Sequence, residues 1–351
     1  MQSLEELRKK VRQISIAQLR ELRDVSLIDV RELFEVAAGM IPGAVHIPIQ
    51  ELVSRVEESF GDKKAPIYIY CASGNRSLVA AKLLEDVGYK EVYSVNGGYK
   101  EYVTNNCSLA ESRYGRQIAL PEFGVEGQKR LGQSSVLIVG VGGIGSPAAL
   151  YLTAAGVGKL TLIDGDAVQL SNLHRQVLFN SADIGKKKVI VAKDVLSALN
   201  PEVQITPLDQ RLSANNAYEL ISAHDLIIDG SDNFATRYLV NDCCVKYRKP
   251  LLYGAVHRFE IILSLFALTG GPCLRCLFPE EPPADSISDC AEAGVLGVVP
   301  GIAGMLAANE ALKLLAGIGE NSSGRIHRID CLIFKITESR LSRRNGCVCS
   351  V

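Results

Sequence analysis

Short, nearly unbroken apolar runs recur along the chain, separated by segments whose apolar residues return every three or four positions. In the first hundred residues the runs are 27–30 (LIDV), 67–70 (IYIY) and 92–95 (VYSV). Runs this short and this apolar suit strands covered on both faces, as in a parallel sheet. Between them, 77–87 carries Leu78, Ala80, Ala81 and Leu84 at helical spacing. The stretch 104–112 (TNNCSLAES) is polar and aperiodic, which places a linker at 105–112. Beyond it the runs 135–139, 159–163, 204–207, 225–229 and 250–253 alternate with mostly helical patterns. That alternation predicts a doubly wound, mainly parallel sheet with ligands at the carboxyl ends of its strands. After Tyr253 the pattern changes to longer strands, 259–268 and 326–337, around an apolar helix at 302–316. The expected architecture is therefore α/β: a small α/β domain at 1–104, then a Rossmann-like domain with an α+β extension at 113–351.

Composition changes this picture little. The chain has 351 residues, 47% hydrophobic and 22% charged, with a formal net charge of −1, as expected of a soluble globular protein with no basic surface for nucleic acid or membrane. The first residues, MQSLEELRKKVRQ, are charged and lack the apolar core of an export signal. The apolar stretch 293–308 is broken by Pro300 and several glycines, so a buried loop and helix are expected there instead of a membrane span. Ten cysteines without an export signal point to a reducing, cytoplasmic setting in which thiols are kept for metal or chemistry. Cys107, Cys243, Cys244 and Cys331 belong to no motif and are expected as small buried thiols.

Cys71 follows the strand IYIY and opens the loop CASGNRS, which runs straight into a helix. Backbone N–H groups and the helix dipole there favour a thiolate, Gly74 permits the tight loop, and Arg76 is expected to add a cation beside the sulfur. With IDVRE (28–32), IPGAVHIP (41–48) and NGG (96–98), this unit resembles a single rhodanese domain. The resemblance implies that Cys71 carries sulfur as a persulfide, loaded by an upstream donor such as a cysteine desulfurase. Met40 stands where rhodaneses often have histidine, outside the loop.

The second unit opens with VLIVGVGGIGS, whose Gly140, Gly142 and Gly145 follow a strand and precede a helix. Alone, that is a dinucleotide fingerprint and leaves a nicotinamide-dependent dehydrogenase open. The following residues favour a triphosphate. Ser171–Gln176 (SNLHRQ) supplies Arg175, GKKK supplies Lys188, and IIDGSDN ends a strand with Asp232 and Asn233. Arginine and lysine neutralise developing phosphate charge, and a carboxylate at a strand end suits Mg²⁺. With RYGRQ (113–117), DGDAVQLSNLHRQ, CLRC and CAEAGVLG (290–297), the unit resembles the MoeB/ThiF family of activating enzymes for ubiquitin-like sulfur carriers.

That resemblance implies adenylation by ATP and Mg²⁺ of a carrier ending in Gly-Gly. Gly142, Gly143 and Gly145 would line the nucleotide and Asp164 would take the ribose. Asn172, Arg175 and Lys188 would contact phosphates, Asp232 would sit near the metal, and Asp166, Ser171, Leu173, His174 and Asn233 would complete the pocket. Arg116 resembles an arginine that reaches the neighbouring subunit's site, which implies a homodimer. Cys273 and Cys276 form half a zinc site by spacing; the resemblance completes it with Cys347 and Cys349, which are separated by one residue where the family has two. Cys290 matches a cysteine that takes part in acyl or disulfide intermediates.

Joined, the units suggest that the Cys71 persulfide attacks the acyl-adenylate and that Cys290 then releases a carrier thiocarboxylate. Family members usually place the rhodanese after the activating domain, whereas here it comes first. The rival from another class is a non-catalytic carrier-docking or sulfur-sensing protein with a degenerate activating domain. Molybdopterin, thiamine, tRNA thiolation and secondary-metabolite pathways all use such enzymes, and the sequence does not choose among them.

Overall fold

The computed structural model describes residues 4–22, 25–37, 39–106, 112–281 and 294–350, and the chain divides into two compact units, Met1–Val125 and Glu126–Val351. In the first, β1 (Arg12–Ile14), β2 (Ser26–Asp29), β3 (Val45–His46), β4 (Pro66–Tyr70) and β5 (Glu91–Val95) form an all-parallel sheet in the order β1-β5-β4-β2-β3. The three apolar runs of the sequence are its central strands, and Ile67, Ile69 and Tyr70 are fully buried in β4. The edge strands β1 and β3 are two or three residues long, too short to leave a periodic trace. The helix Asn75–Asp86 lays Leu78, Ala80, Ala81 and Leu84 into the core, as its spacing predicts. The helix Gly98–Asn106 carries regular structure into the stretch expected as linker. Cys107 lies outside the described residues.

The second unit is one eight-stranded sheet of β6 (Ser135–Val139), β7 (Lys159–Ile163), β8 (Gln204–Leu208), β9 (Leu226–Asp229), β10 (Leu251–His257), β11 (Glu260–Phe266), β12 (Arg325–Asp330) and β13 (Lys335–Arg340). Its order is β13-β12-β11-β10-β9-β6-β7-β8. From β8 to β10 every pairing is parallel; from β10 to β13 every pairing is antiparallel. The chain winds outward from β6 through β7 to β8, then returns to add β9 on the other side of β6. The gap between the carboxyl ends of β6 and β9 is thus a topological switch point, where ligands enter such sheets.

One expected strand is corrected. The run 326–337 is a hairpin, because Asp330 Oδ1 accepts the N–H groups of Leu332 (2.9 Å) and Ile333 (3.3 Å) and turns the chain. Phe334 completes the turn at φ 52°. Cys331 in this turn is half-buried where a buried thiol was expected, while Cys243 and Cys244 are buried.

The helix Val298–Ala316 begins four residues before the expected start. Pro300 falls in its first turn, where a missing N–H costs nothing. By length and composition this helix is apolar enough to cross a membrane. In the fold it packs on the helix Gly145–Ala155 and on β10 and β11, which accounts for its apolar character. The approach to the helix Gly145–Ala155 is close: a Cβ at Gly304 would overlap the Ile144 carbonyl. In a free helix, Gly→Ala stabilises by up to about 1 kcal/mol. Gly304→Ala should instead destabilise by about 1–3 kcal/mol through overpacking, read as a lowered urea midpoint.

Candidate functional sites

In the first unit β4 ends at Tyr70 and the chain turns sharply over 71–74, with Gly74 at φ 95°. The Cys71 sulfur accepts the Gly74 N–H at 3.1 Å and lies 3.7 Å from the Ser77 hydroxyl. Ser77 donates to the Gly74 carbonyl at 3.0 Å and meets Ser94 at 2.9 Å, so the loop is tied to β5. From behind, Tyr99 donates its N–H to the Cys71 carbonyl (2.7 Å) and Lys100 to that of Ala72 (3.0 Å). A Cβ at Gly98 would overlap the Cys71 carbonyl, which explains the glycine pair of the NGG turn. The thiol is 1% exposed in this state.

Arg76 differs from expectation. Its guanidinium forks onto Glu35 at 2.6 and 2.7 Å, so its charge is shared with a carboxylate and is not free beside the sulfur. Those hydrogen bonds hold the Glu35 carboxyl below its usual range, against the opposing effect of burial. The Glu35 carbonyl in turn accepts from Arg31, whose ion pair with Asp29 is buried under the ring of Tyr99. Glu35 was missed in the sequence because its partner is 41 residues away.

In the second unit, Gly140 to Gly145 turn between β6 and the helix Gly145–Ala155. Asp164 follows β7 and accepts the Val141 N–H at 2.9 Å and that of Asp166 at 2.8 Å. Lys188, 5% exposed, opens the helix Lys188–Leu199, with its ammonium 3.1 Å from Asp166 and 3.8 Å from Asp164. Arg211, which the sequence did not single out, adds a second cation to Asp166 at 3.2 Å. Burial opposes ionisation of Asp166, but Lys188 and Arg211 outweigh it and hold the carboxyl below its usual value.

The SNLHRQ segment wraps the other side of the turn. Asn172 is buried, and its side-chain oxygen accepts the Gln169 N–H at 3.1 Å, which fixes the short helix Leu170–Asn172. Arg175 donates to the Ser171 carbonyl at 2.7 Å and meets the His174 ring at 2.9 Å. Its Cδ lies 3.6 Å from where a Gly143 Cβ would stand, and Leu173 is half-buried.

Across the switch point, a Cβ at Gly140 would stand 2.9 Å from the Gly230 carbonyl. Asp229, fully buried, accepts the N–H (2.9 Å) and hydroxyl (2.6 Å) of Ser231; burial pushes its carboxyl up. Arg237 holds the Ser231 carbonyl at 2.9 Å. The turn so clamped presents Asp232 exposed, 3.5 Å from the Asn233 amide, while Asn233 caps the helix Phe234–Tyr247. The exposed Asp232 carboxylate is a hard oxygen donor of the kind that Mg²⁺ takes. Arg116 is exposed on the helix Gly115–Ile118, which groups with the first unit. Cys290 lies outside the described residues.

The CxC spacing does not prevent a four-thiol cluster. Cys273, Cys276, Cys347 and Cys349 place all their sulfurs within 4.8 Å of one another. The cluster pairs Cys273 with Cys347 (3.5 Å) and Cys276 with Cys349 (3.4 Å). A tetrahedral ion with metal–sulfur bonds of about 2.3 Å needs sulfurs roughly 3.8 Å apart, so the donor set fits a metal ion.

The profile of the ThiF family matches residues 114–351 and that of the rhodanese-like domain matches residues 13–105. A "Sulfur carrier protein adenylyltransferase" of Thermus thermophilus is 47% identical over 240 residues, 67% of this chain and 89% of its own length. An "Adenylyltransferase and sulfurtransferase MOCS3" of Sus scrofa is 47% identical over 239 residues, covering 68% of this chain but 52% of its own. The chain thus spans about half the length of relatives of the second kind. Among solved structures, Escherichia coli MccB crystallised with ATP superposes with a TM-score of 0.60 at 26% identity, covering 68% of this chain and 74% of that one. The chain belongs to the ThiF family of ATP-using adenylyltransferases and carries a rhodanese-like domain ahead of it.

Proposed function

We propose that this enzyme adenylates the C-terminal glycine of a ubiquitin-like sulfur carrier and then transfers sulfur to it from Cys71. The observation that carries the reading is the set of groups around the switch point: a glycine-rich turn, an anchored Asp164–Lys188 pair and Arg175. The glycine turn gives phosphates access to backbone N–H groups at a helix N-terminus. Asp164, held by the Val141 N–H, accepts the ribose hydroxyls. Lys188 and Arg175 neutralise charge on the phosphates as the carrier carboxylate attacks the α-phosphorus and pyrophosphate departs. Asp232 would hold Mg²⁺, which supplies charge neutralisation on phosphate oxygens when bound. Arg116 acts in the neighbouring subunit's site of a homodimer.

In the second half-reaction the terminal sulfur of a Cys71 persulfide attacks the acyl-adenylate and AMP leaves. The Cys290 thiolate then attacks the Cys71 sulfur of the acyl disulfide, which frees the carrier thiocarboxylate and leaves a Cys71–Cys290 disulfide. A cellular thiol reductant reopens that bond, and a cysteine desulfurase reloads Cys71. The four clustered thiols would hold a structural Zn²⁺ that ties the CLRC turn to the C-terminal segment.

Three outcomes are expected. Carrier-dependent ATP–pyrophosphate exchange should persist in Cys71→Ala while thiocarboxylate, read as an oxygen-to-sulfur mass gain on the carrier, disappears; joint loss of both would refute the division of labour. Arg175→Ala should slow exchange on the order of 100-fold. Native mass spectrometry should find a single zinc ion per chain, lost in Cys347→Ser together with a lower thermal midpoint.

A further inference from the structure

Asp229 ends β9, three residues before the exposed carboxylate of Asp232, and the proposed reaction gives it no task. It is fully buried, and its Oδ2 has no hydrogen-bond partner among the described residues. A carboxyl shut away from water with one oxygen bare weakens a fold, so stability does not explain an aspartate here. Its other oxygen makes two bonds, both to one residue: Oδ1 accepts the Ser231 N–H at 2.9 Å and the Ser231 hydroxyl at 2.6 Å. The carboxyl thus folds forward over a single turn of chain, the turn that leads into Asp232.

Other groups hold the same segment at its remaining polar atoms. The Gly230 N–H donates to the Val139 carbonyl on β6 at 2.9 Å. Arg237, buried on the helix Phe234–Tyr247, donates from Nε (3.3 Å) and Nη2 (2.9 Å) to the Ser231 carbonyl. Its Nη1 donates to the Tyr253 hydroxyl on β10 at 2.9 Å. Beyond Asp232, the Asn233 side chain accepts the Thr236 N–H at 2.9 Å. The backbone is therefore fixed before and after Asp232, while the Asp232 carboxylate stays exposed, 3.5 Å from the Asn233 amide. Mg²⁺ takes few protein oxygens and is strict about where they stand, so a carboxylate on a held turn suits it. We infer that Asp229 is a positioning residue: by holding the Ser231 N–H and hydroxyl, it sets the backbone from which Asp232 reaches a Mg²⁺ carried by the nucleotide. The inference rests on the proposed role of Asp232. It also accounts for the residue type, since the leucine and isoleucines that fill the rest of β9 offer no acceptor.

The test is calorimetry of ATP binding to the intact chain, run with Mg²⁺ and again with EDTA; the ratio of the two affinities is the gain that the metal brings. In Asp229→Ala that gain should fall about ten-fold, while the affinity in EDTA stays at the wild-type value. Asp229→Asn keeps an oxygen for Ser231 and should keep the gain. Asp232→Ala should lower the gain by itself, and adding Asp229→Ala to it should cost nothing more, because both act through one carboxylate. Should Asp229→Ala not fold, Ser231→Ala removes the hydroxyl bond alone and should lower the gain about three-fold. An undiminished gain in Asp229→Ala, or in Ser231→Ala where that variant stands in, overturns the inference and leaves adenylation intact. So does an equal loss in Asp229→Asn, which would assign the effect to charge instead of the held turn. No gain in wild type, or an undiminished one in Asp232→Ala, overturns the placement of Mg²⁺ at Asp232, and this inference with it.

Discussion

The activating unit depends on a place where side chains are excluded. Between β6 and β9 the backbone of Gly140 meets that of Gly230, and a Cβ at Gly145 would overlap the Gly140 carbonyl. On the outer side, Gly304 of the helix Val298–Ala316 lies against the Ile144 carbonyl. Three segments far apart in sequence thus touch main chain to main chain around one turn. Each added methyl would push them apart by a carbon's width, in an interior packed to crystal density. The same exclusion leaves Gly142 and Gly143, just ahead of the helix Gly145–Ala155, with no side chains of their own to keep an anion from the helix start. Fold and site therefore share one requirement, which is why a fingerprint usually associated with dinucleotides serves an adenylating enzyme equally well.

Around that turn the charged groups are held by others before any ligand arrives. Asp164 and Asp166 are held by backbone N–H groups and by Lys188, and Asp232 follows Ser231, whose N–H is held by Asp229 and whose carbonyl is held by Arg237. Pre-set charges need little reorganisation when phosphate charge develops, and that is where such sites gain most of their rate. The rhodanese-like unit shows the same logic by different means. Cys71 is fixed by the Gly74 N–H on its sulfur and the Tyr99 N–H on its carbonyl, and Arg76, expected as a free cation, is already shared with Glu35. A guanidinium so restrained is not a free charge, and the sulfur makes its contacts with the Gly74 N–H and the Ser77 hydroxyl.

Much of this was legible in the chain. Central strands announce themselves as apolar runs because both faces are buried, and the helix over Leu78–Leu84 follows its spacing. Edge strands β1 and β3 were invisible because pairing on one side needs only two or three residues. The 326–337 run was misread because Leu332, Ile333 and Phe334 continue the apolar pattern through the turn that Asp330 makes. Among the residues around the two sites, those in contiguous motifs can be named from the chain, while Glu35, Arg211, Asp229 and Arg237 carry no such signal. Their tasks are defined by partners that only folding brings near. Asp229 and Gln176 lie inside motifs, but a sequence does not reveal that Asp229 Oδ2 and Gln176 Oε1 are buried with no partner among the described residues.

The four-thiol cluster shows where spacing rules stop. A C-x-x-C pair holds a metal because a tight turn brings both sulfurs to one side, and Cys276 N–H bonding to the Cys273 carbonyl makes that turn here. The C-terminal pair has one residue fewer, and an extended C-x-C would throw its sulfurs to opposite faces. The Val348–Ser350 helical turn, with Ser350 N–H on the Cys347 carbonyl, curls the chain so that Cys347 meets Cys273 and Cys349 meets Cys276. The Arg344 N–H on the Cys276 sulfur and Arg343 on the Cys349 carbonyl anchor the segment on both sides. What the cluster requires is therefore convergence of four sulfurs, and a shorter spacing meets it once the local backbone is helical instead of extended.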